Sequence, residues 1–144
     1  MEENINLTGR FKVVKHSPEG FIEERFADNI VVNTGKTTIA GLILSDVSAG
    51  SRFDYLAIGL GSTVAAATQT ALVSEVYSRI AGTGTLTGST ATLSGAFGIS
   101  GTVSISEYGV FNKSTTGSML CRASGTALSC TSGDTVGVEY SIRT

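Results

Sequence analysis

TVGVEYSIR, residues 135–143, decides the fold: Val136, Val138, Tyr140 and Ile142 are apolar, and Glu139, Ser141 and Arg143 between them are polar. A period of two places the first set on one face of an extended strand and the second set on the other. ATLSGAFGI, residues 91–99, behaves the same way. Ala91, Leu93, Phe97 and Ile99 share a face, with Thr92, Ser94 and Gly98 opposite. Half-buried strands of this kind belong to an antiparallel sheet with one face on a core.

The neighbouring segments extend the pattern. RFKVVKH (10–16) and FIEERFA (21–27) are strand-like and flank SPEG (17–20), whose Pro and Gly suit a type I or II turn. NIVVN (29–33), FDYLAIGLG (53–61), VYSRIAG (76–82), EYGVFN (107–112) and SMLCRA (118–123) are further strands. GKTTIAGLILSD (35–46) carries Ile39, Leu42 and Ile43 at helical spacing and predicts one short amphipathic helix. ATQTALVSEV (67–76) predicts a turn or two of helix.

Eight or nine strands with Gly- and Ser-containing turns define an all-β chain with one short helix. The expected architecture is an antiparallel β-sandwich of jelly-roll or related Greek-key type. No fixed-period repeat is present, which disfavours solenoids and propellers. Residues 10–144 read as a single domain, preceded by residues 1–9 as an N-terminal arm.

A chain of 144 residues buries roughly two-thirds of its unfolded surface, enough for a core without metal or disulfide. The 18 Gly, single Pro and absent Trp fit short strands joined by small-residue turns. The net charge of -2 comes with scattered Lys and Arg, so neither nucleic acid nor an anionic membrane surface is an expected partner. The opening MEENINLTGR is acidic and lacks the apolar core of a signal peptide. The most apolar window, YLAIGLGSTVAAATQTALV, is too polar to span a bilayer, and a cytoplasmic product is expected. Ten of the 22 charged residues precede Asn29, and Arg79 is the only one between Val76 and Ser106. A charged ribbon therefore leads into a long neutral stretch rich in hydroxyls.

Motifs that carry chemistry fail one by one. NTGKTTIAG (33–41) follows an apolar strand as a phosphate-binding loop would, but that loop needs a glycine five residues before the Gly-Lys pair. Ile30 stands there. A tight strand-to-helix turn, with Gly35 supplying backbone freedom, is the expectation. GLGS (59–62) lacks the third glycine of a dinucleotide site and reads as a strand terminus. His16, the only histidine, lies at a predicted turn beside Ser17, where a solvated residue is expected rather than a catalytic base.

Glu23 and Glu24 are strand neighbours on opposite faces and cannot act on one bond. Glu75 and Glu107 are better read as ion partners for Arg79 or Arg122 than as a glycosidase pair. Cys121 and Cys130 have no metal-site spacing. They lie on either side of RASGTALS, a possible hairpin, and two free thiols are expected. No cofactor or metal site emerges, and the chain reads as a non-enzymatic binding or structural module.

NIVVNTGKTTIAGLIL, FDYLAIGLGSTVAAATQTALVSEVYSR, SEYGVFNKSTTGSMLCRA and GDTVGVEYSIR, in that order, resemble a recurrent group of small virion proteins of tailed bacteriophages. The shared features are Asn-Val-Val-x-x-Gly, Ala-Ile-Gly-x-Gly, Thr-x-Leu-x-x-Glu and Glu-x-Gly-[Leu/Val]-Phe-Asn, across about residues 29–143. The resemblance implies a β-sandwich structural protein of the particle, made in the host cytoplasm and placed on the outer surface of the capsid. Its implied role is a decoration (cement) protein that binds the major capsid protein and its own copies, with a homotrimer as the natural ring. A tail or baseplate component is the alternative, and a carbohydrate-binding module for host attachment a further one, using Tyr55, Tyr77, Tyr108 or Tyr140. The expected interface is the N-terminal segment and charged hairpin: Glu2, Glu3, Asn4, Ile5, Asn6, Arg10, Lys12, Lys15, Glu23, Glu24 and Arg25.

Overall fold

A computed structural model describes residues 6–43 and 52–144. Glu2, Glu3, Asn4 and Ile5 lie outside the described residues, as do Leu44, Ser45 and Asp46 of the expected helix. The described chain forms ten strands and one helix. These are β1 (Thr8–His16), β2 (Ile22–Asp28), β3 (Ile30–Val31), α1 (Asn33–Ile43), β4 (Tyr55–Gly59), β5 (Glu75–Ala81), β6 (Thr83–Thr87), β7 (Thr90–Gly98), β8 (Val103–Phe111), β9 (Met119–Cys130) and β10 (Thr135–Arg143).

The strands make two antiparallel sheets, ordered β2-β1-β10-β7-β6 and β3-β9-β8-β4-β5. An all-β sandwich with one short helix is thus what the alternating strands produce. The chain crosses between sheets after β2, β5, β7 and β9, so β7 and β10 are neighbours in one sheet while the β8–β9 hairpin lies in the other. β1 pairs with β10 from Thr8↔Arg143 to His16↔Thr135, which ties the two ends of the sequence together. That pairing begins two residues before the expected domain start at residue 10.

The apolar face of β10 packs as its alternation dictates, with Val136, Val138 and Tyr140 buried, and Leu93, Phe97 and Ile99 beside them. Phe11 occupies the centre, its ring 5.7 Å from Tyr108 in the facing sheet and 4.7 Å from Tyr140. The SPEG turn is type I. Gly20 N–H donates to Ser17 C=O at 3.0 Å, Pro18 sits second, and the positive φ falls on Gly20 in the fourth position.

Three expectations are corrected. The helix buries Gly35 and Thr38, while Leu42 and Ile43 are 39% and 65% exposed and only Ile39 reaches the core edge. Close approach decides this: a β-carbon on Gly35 would collide with the Leu120 carbonyl on β9. Gly35 therefore serves helix–sheet contact from inside α1 and is not among the glycines at positive φ. Residues 67–76 form no helix, only a turn before β5. RASGTALS is no hairpin either, because β9 runs unbroken from Met119 to Cys130. Its irregularity is a bulge, with Glu107 opposite Ser124 and Ile105 opposite Leu128.

Candidate functional site

Alternation on β8 sends Tyr108 and Val110 into the core and leaves Glu107, Gly109 and Phe111 on the opposite face of the sheet. That face is not solvated. The segment 60–74 between β4 and β5 folds over it, with Leu72 packed against Ala57, Phe111 and Met119. Glu107 and Arg122 are sealed beneath, both with fully buried side chains.

Every acceptor direction of the Glu107 carboxylate is used. Oε2 accepts the N–H groups of Gly61 at 2.8 Å and Ser74 at 2.7 Å. Oε1 accepts Val73 N–H at 2.8 Å and Arg122 Nε at 2.9 Å. Arg122 Nη1 donates onward to Thr63 C=O at 2.8 Å and to Gln69 Oε1 at 3.2 Å. Ser106 adds its hydroxyl to the carbonyls of Leu60 and Gly61, each at 3.0 Å. Gly59 and Gly61 are glycines because a β-carbon at either would lie 2.5 or 2.6 Å from Glu107 Oε2.

Burial pushes the Glu107 pKa up, but donors from Ser74, Val73, Arg122 and Gly61 outweigh it and hold the carboxyl below its ordinary value. A carboxylate without a free lone pair or a path to solvent is not a general base. It organises a loop.

A second cluster sits at the sheet edge. Three β5 residues, Tyr77 to Arg79, oppose Ala57 of β4 between the pairs Ile58↔Val76 and Leu56↔Ile80, and Tyr77 takes φ of 62° within this bulge. Arg79 is thereby aimed across the Phe111 ring, with the guanidinium carbon 3.4 Å from the centroid. It pairs with Glu75 through two bonds of 2.9 and 3.1 Å and donates to the carbonyls of Lys113 and Thr116. Each glutamate is therefore an ion partner of one of the two arginines, as expected, and the structure assigns Glu75 to Arg79 and Glu107 to Arg122. The backbone amides that complete the Glu107 site escaped the sequence, because they lie 33 to 46 residues away.

The charged hairpin divides between two faces. Lys15, Glu23 and Arg25 point between the sheets. Lys15 Nζ lies 3.1 Å from Glu23 Oε1 and 2.9 Å from Ser129 C=O, and Arg25 Nη2 lies 3.2 Å from Glu23 Oε2. Arg10, Lys12 and Glu24 stay exposed on the outer face, the Arg10 guanidinium 4.1 Å above the Phe26 ring. Asn6 is exposed just before β1, and His16 is exposed at the end of that strand. Phe21 and Ile22 at the hairpin tip are 74% and 62% exposed, and Phe26 is 48% exposed.

Cys121 and Cys130 are free and buried. Burial pushes the Cys121 thiol up to about 12 and raises Cys130, so neither offers the reactive thiolate at neutral pH. Tyr108 and Tyr140 are core residues and cannot stack on a sugar. Among the described residues no group of His, Cys, Asp and Glu is placed to hold a metal ion. The chain matches no family model, no curated protein and no solved structure.

Glu107→Gln should lower unfolding free energy in urea by about 3–5 kcal/mol, the cost of leaving Arg122 buried and uncompensated. The double variant E107L/R122L should not recover the loss, because three backbone amides remain without acceptors. Recovery to wild-type stability would show that the pair is dispensable. The lowered pKa also sets a pH dependence. Glu107 contributes its full stabilisation above the unfolded glutamate range, about 4.3, and the contribution is lost as pH falls through the lower folded value. Denaturation series from pH 7 to pH 3 should therefore show a larger acid loss for wild type than for Glu107→Gln.

Proposed function

We propose that this chain is a structural protein of a tailed-bacteriophage particle, a capsid decoration protein that binds the major capsid protein on the outer shell. The observation that carries this reading is where the resembling motifs fall. Ala-Ile-Gly-Leu-Gly (57–61), Thr-Ala-Leu-Val-Ser-Glu (70–75) and Glu-Tyr-Gly-Val-Phe-Asn (107–112) converge on the Glu107–Arg122 and Glu75–Arg79 clusters. There they supply buried glycines, loop amides and a ring beneath a guanidinium. Residues of this kind specify a rigid body and leave function to its surfaces.

Stiffness of that sort suits a protein that adds contacts to a shell under internal pressure. The hairpin supplies a docking face, with Phe21, Ile22 and Phe26 exposed among Arg10, Lys12 and Glu24. Apolar anchors inside a charged rim are the usual composition of a binding surface. The outer hairpin face meets the capsid, and copies arranged around a quasi-threefold position form the trimer that such a site accommodates.

Quantitative mass spectrometry of purified particles tests the proposal. A ratio approaching one copy per major capsid subunit is expected. A handful of copies per particle would move the protein to the tail or baseplate, and absence from particles would overturn the virion reading.

A further inference from the structure

Edge strands invite other strands, and natural sheets block that pairing with charge, proline, bulges or brevity. Three edges of this sandwich are blocked. β2 carries Glu23, Glu24 and Arg25 and lies against β9 of the other sheet. β3 has only two residues, and β5 is bulged around Tyr77. β6 differs. Its sequence TGTLT is neutral, its register with β7 is regular, and all five residues are exposed.

The turn fixes which backbone groups β6 leaves free. Gly88 and Ser89 join β6 to β7 in a two-residue turn, with φ of 60° at Gly88, the first central position of type II′. Thr87 and Thr90 flank that turn and exchange both hydrogen bonds, and such pairs recur at every second residue. Thr83, Thr85 and Thr87 therefore bond to β7. The N–H and C=O groups of Gly84 and Leu86 point away from it, and no described residue bonds to them.

We propose that β6 pairs antiparallel with β6 of a second copy about a two-fold axis through Thr85. Gly84 then faces Leu86 of the second copy, and the two exchange N–H and C=O bonds, which satisfies all four free groups on each side. Side chains fit the same register. Leu86, 75% exposed, stands on the face that looks between the sheets. Opposite it in the pair is Gly84, where the nearest atom to an added β-carbon is Thr92 C=O at 4.0 Å.

Beside Gly84 opens a cavity of about 460 Å³ at the mouth of the sandwich, lined by Phe53, Leu93, Val110 and Leu120 among others. Each Leu86 thus leaves water for the other copy's apolar mouth. On the outer face Thr85 meets Thr85, and Thr83 meets Thr87, without like charges in contact. The contact is isologous and closes at two copies. It stands on the geometry of β6 alone, so it is tested separately from the particle reading. Five residues per side make a small interface, weak in free solution and strengthened where copies are held side by side.

Single cysteines test the register. Thr85 and its counterpart form a non-hydrogen-bonded pair with α-carbons about 4.5 Å apart, within reach of a disulfide. Thr83 lies about 13 Å from its own counterpart. On mild oxidation of concentrated protein, T85C should form disulfide dimers at least about tenfold faster than T83C, the contrast that this register requires. Adding L86P should return T85C to the T83C rate, since proline is tolerated where the N–H faces an open edge but removes the bond. L86K leaves the backbone intact and should act likewise through charge repulsion. Circular dichroism checks that each variant is folded. Equal rates for T85C and T83C, or a T85C rate indifferent to both Leu86 substitutions, would overturn the proposal.

Discussion

A carboxylate sealed from water needs a donor for every lone pair, and Glu107 meets that requirement by recruiting backbone. Three amides of the 60–74 segment and one guanidinium converge on its two oxygens. The segment has little regular structure to hold it otherwise, so its course over the sheet follows from where those amides must point. The glycines at 59 and 61, the burial of Leu72 and the approach of Thr63 and Gln69 to Arg122 are consequences of that one demand. Removing one charge of such an assembly strands its buried partner and three backbone amides, so the assembly fixes the course of the segment as well as adding stability.

The same cluster explains the layering. The sandwich core is closed by β1, β7 and β10 from one sheet and by β4, β8 and β9 from the other, with Phe11 between Tyr108 and Tyr140. The 60–74 segment then covers the far side of the second sheet, and α1 packs against β9. The Arg79 bulge pins the 112–118 loop at its edge. Most buried polar chemistry is thus committed to holding loops on one sheet. The other sheet keeps an open face and an open edge, and the surfaces proposed for partners lie there.

Much of this was legible in the sequence and some was not, for identifiable reasons. Strands β7 and β10 announce themselves by period-two alternation, and Ser17-Pro18-Glu19-Gly20 fixes the first turn by local backbone preference alone. That Glu75 and Glu107 would pair with Arg79 or Arg122 was accessible from the sparse charge of this stretch, but which glutamate takes which arginine was not. The loop amides were not, because nothing local to Gly61, Val73 or Ser74 indicates a distant acceptor. Helical spacing locates α1, expected over 35–46 and described over Asn33–Ile43, but points to the wrong inward face, since Gly35 and Thr38 carry no apolar signal and bury through closeness of approach. β9 hid its continuity because Ser124-Gly125-Thr126 has turn composition while acting as a bulge. The expected hairpin residues divide between a partly exposed ion network on the inward side of the edge strand and an exposed outer face, a division set by strand parity once the register of β1 is known.

Glu107 holds the 60–74 segment as part of the rigid body. Backbone hydrogen exchange at Gly61, Val73 and Ser74 near neutral pH measures this most directly. Protection comparable to that of the paired amides of β8 is expected, although these three have no strand partners. Exchange as fast as that of the exposed loop residues Ser114 and Thr115 would contradict it, and would return the segment to an ordinary surface loop.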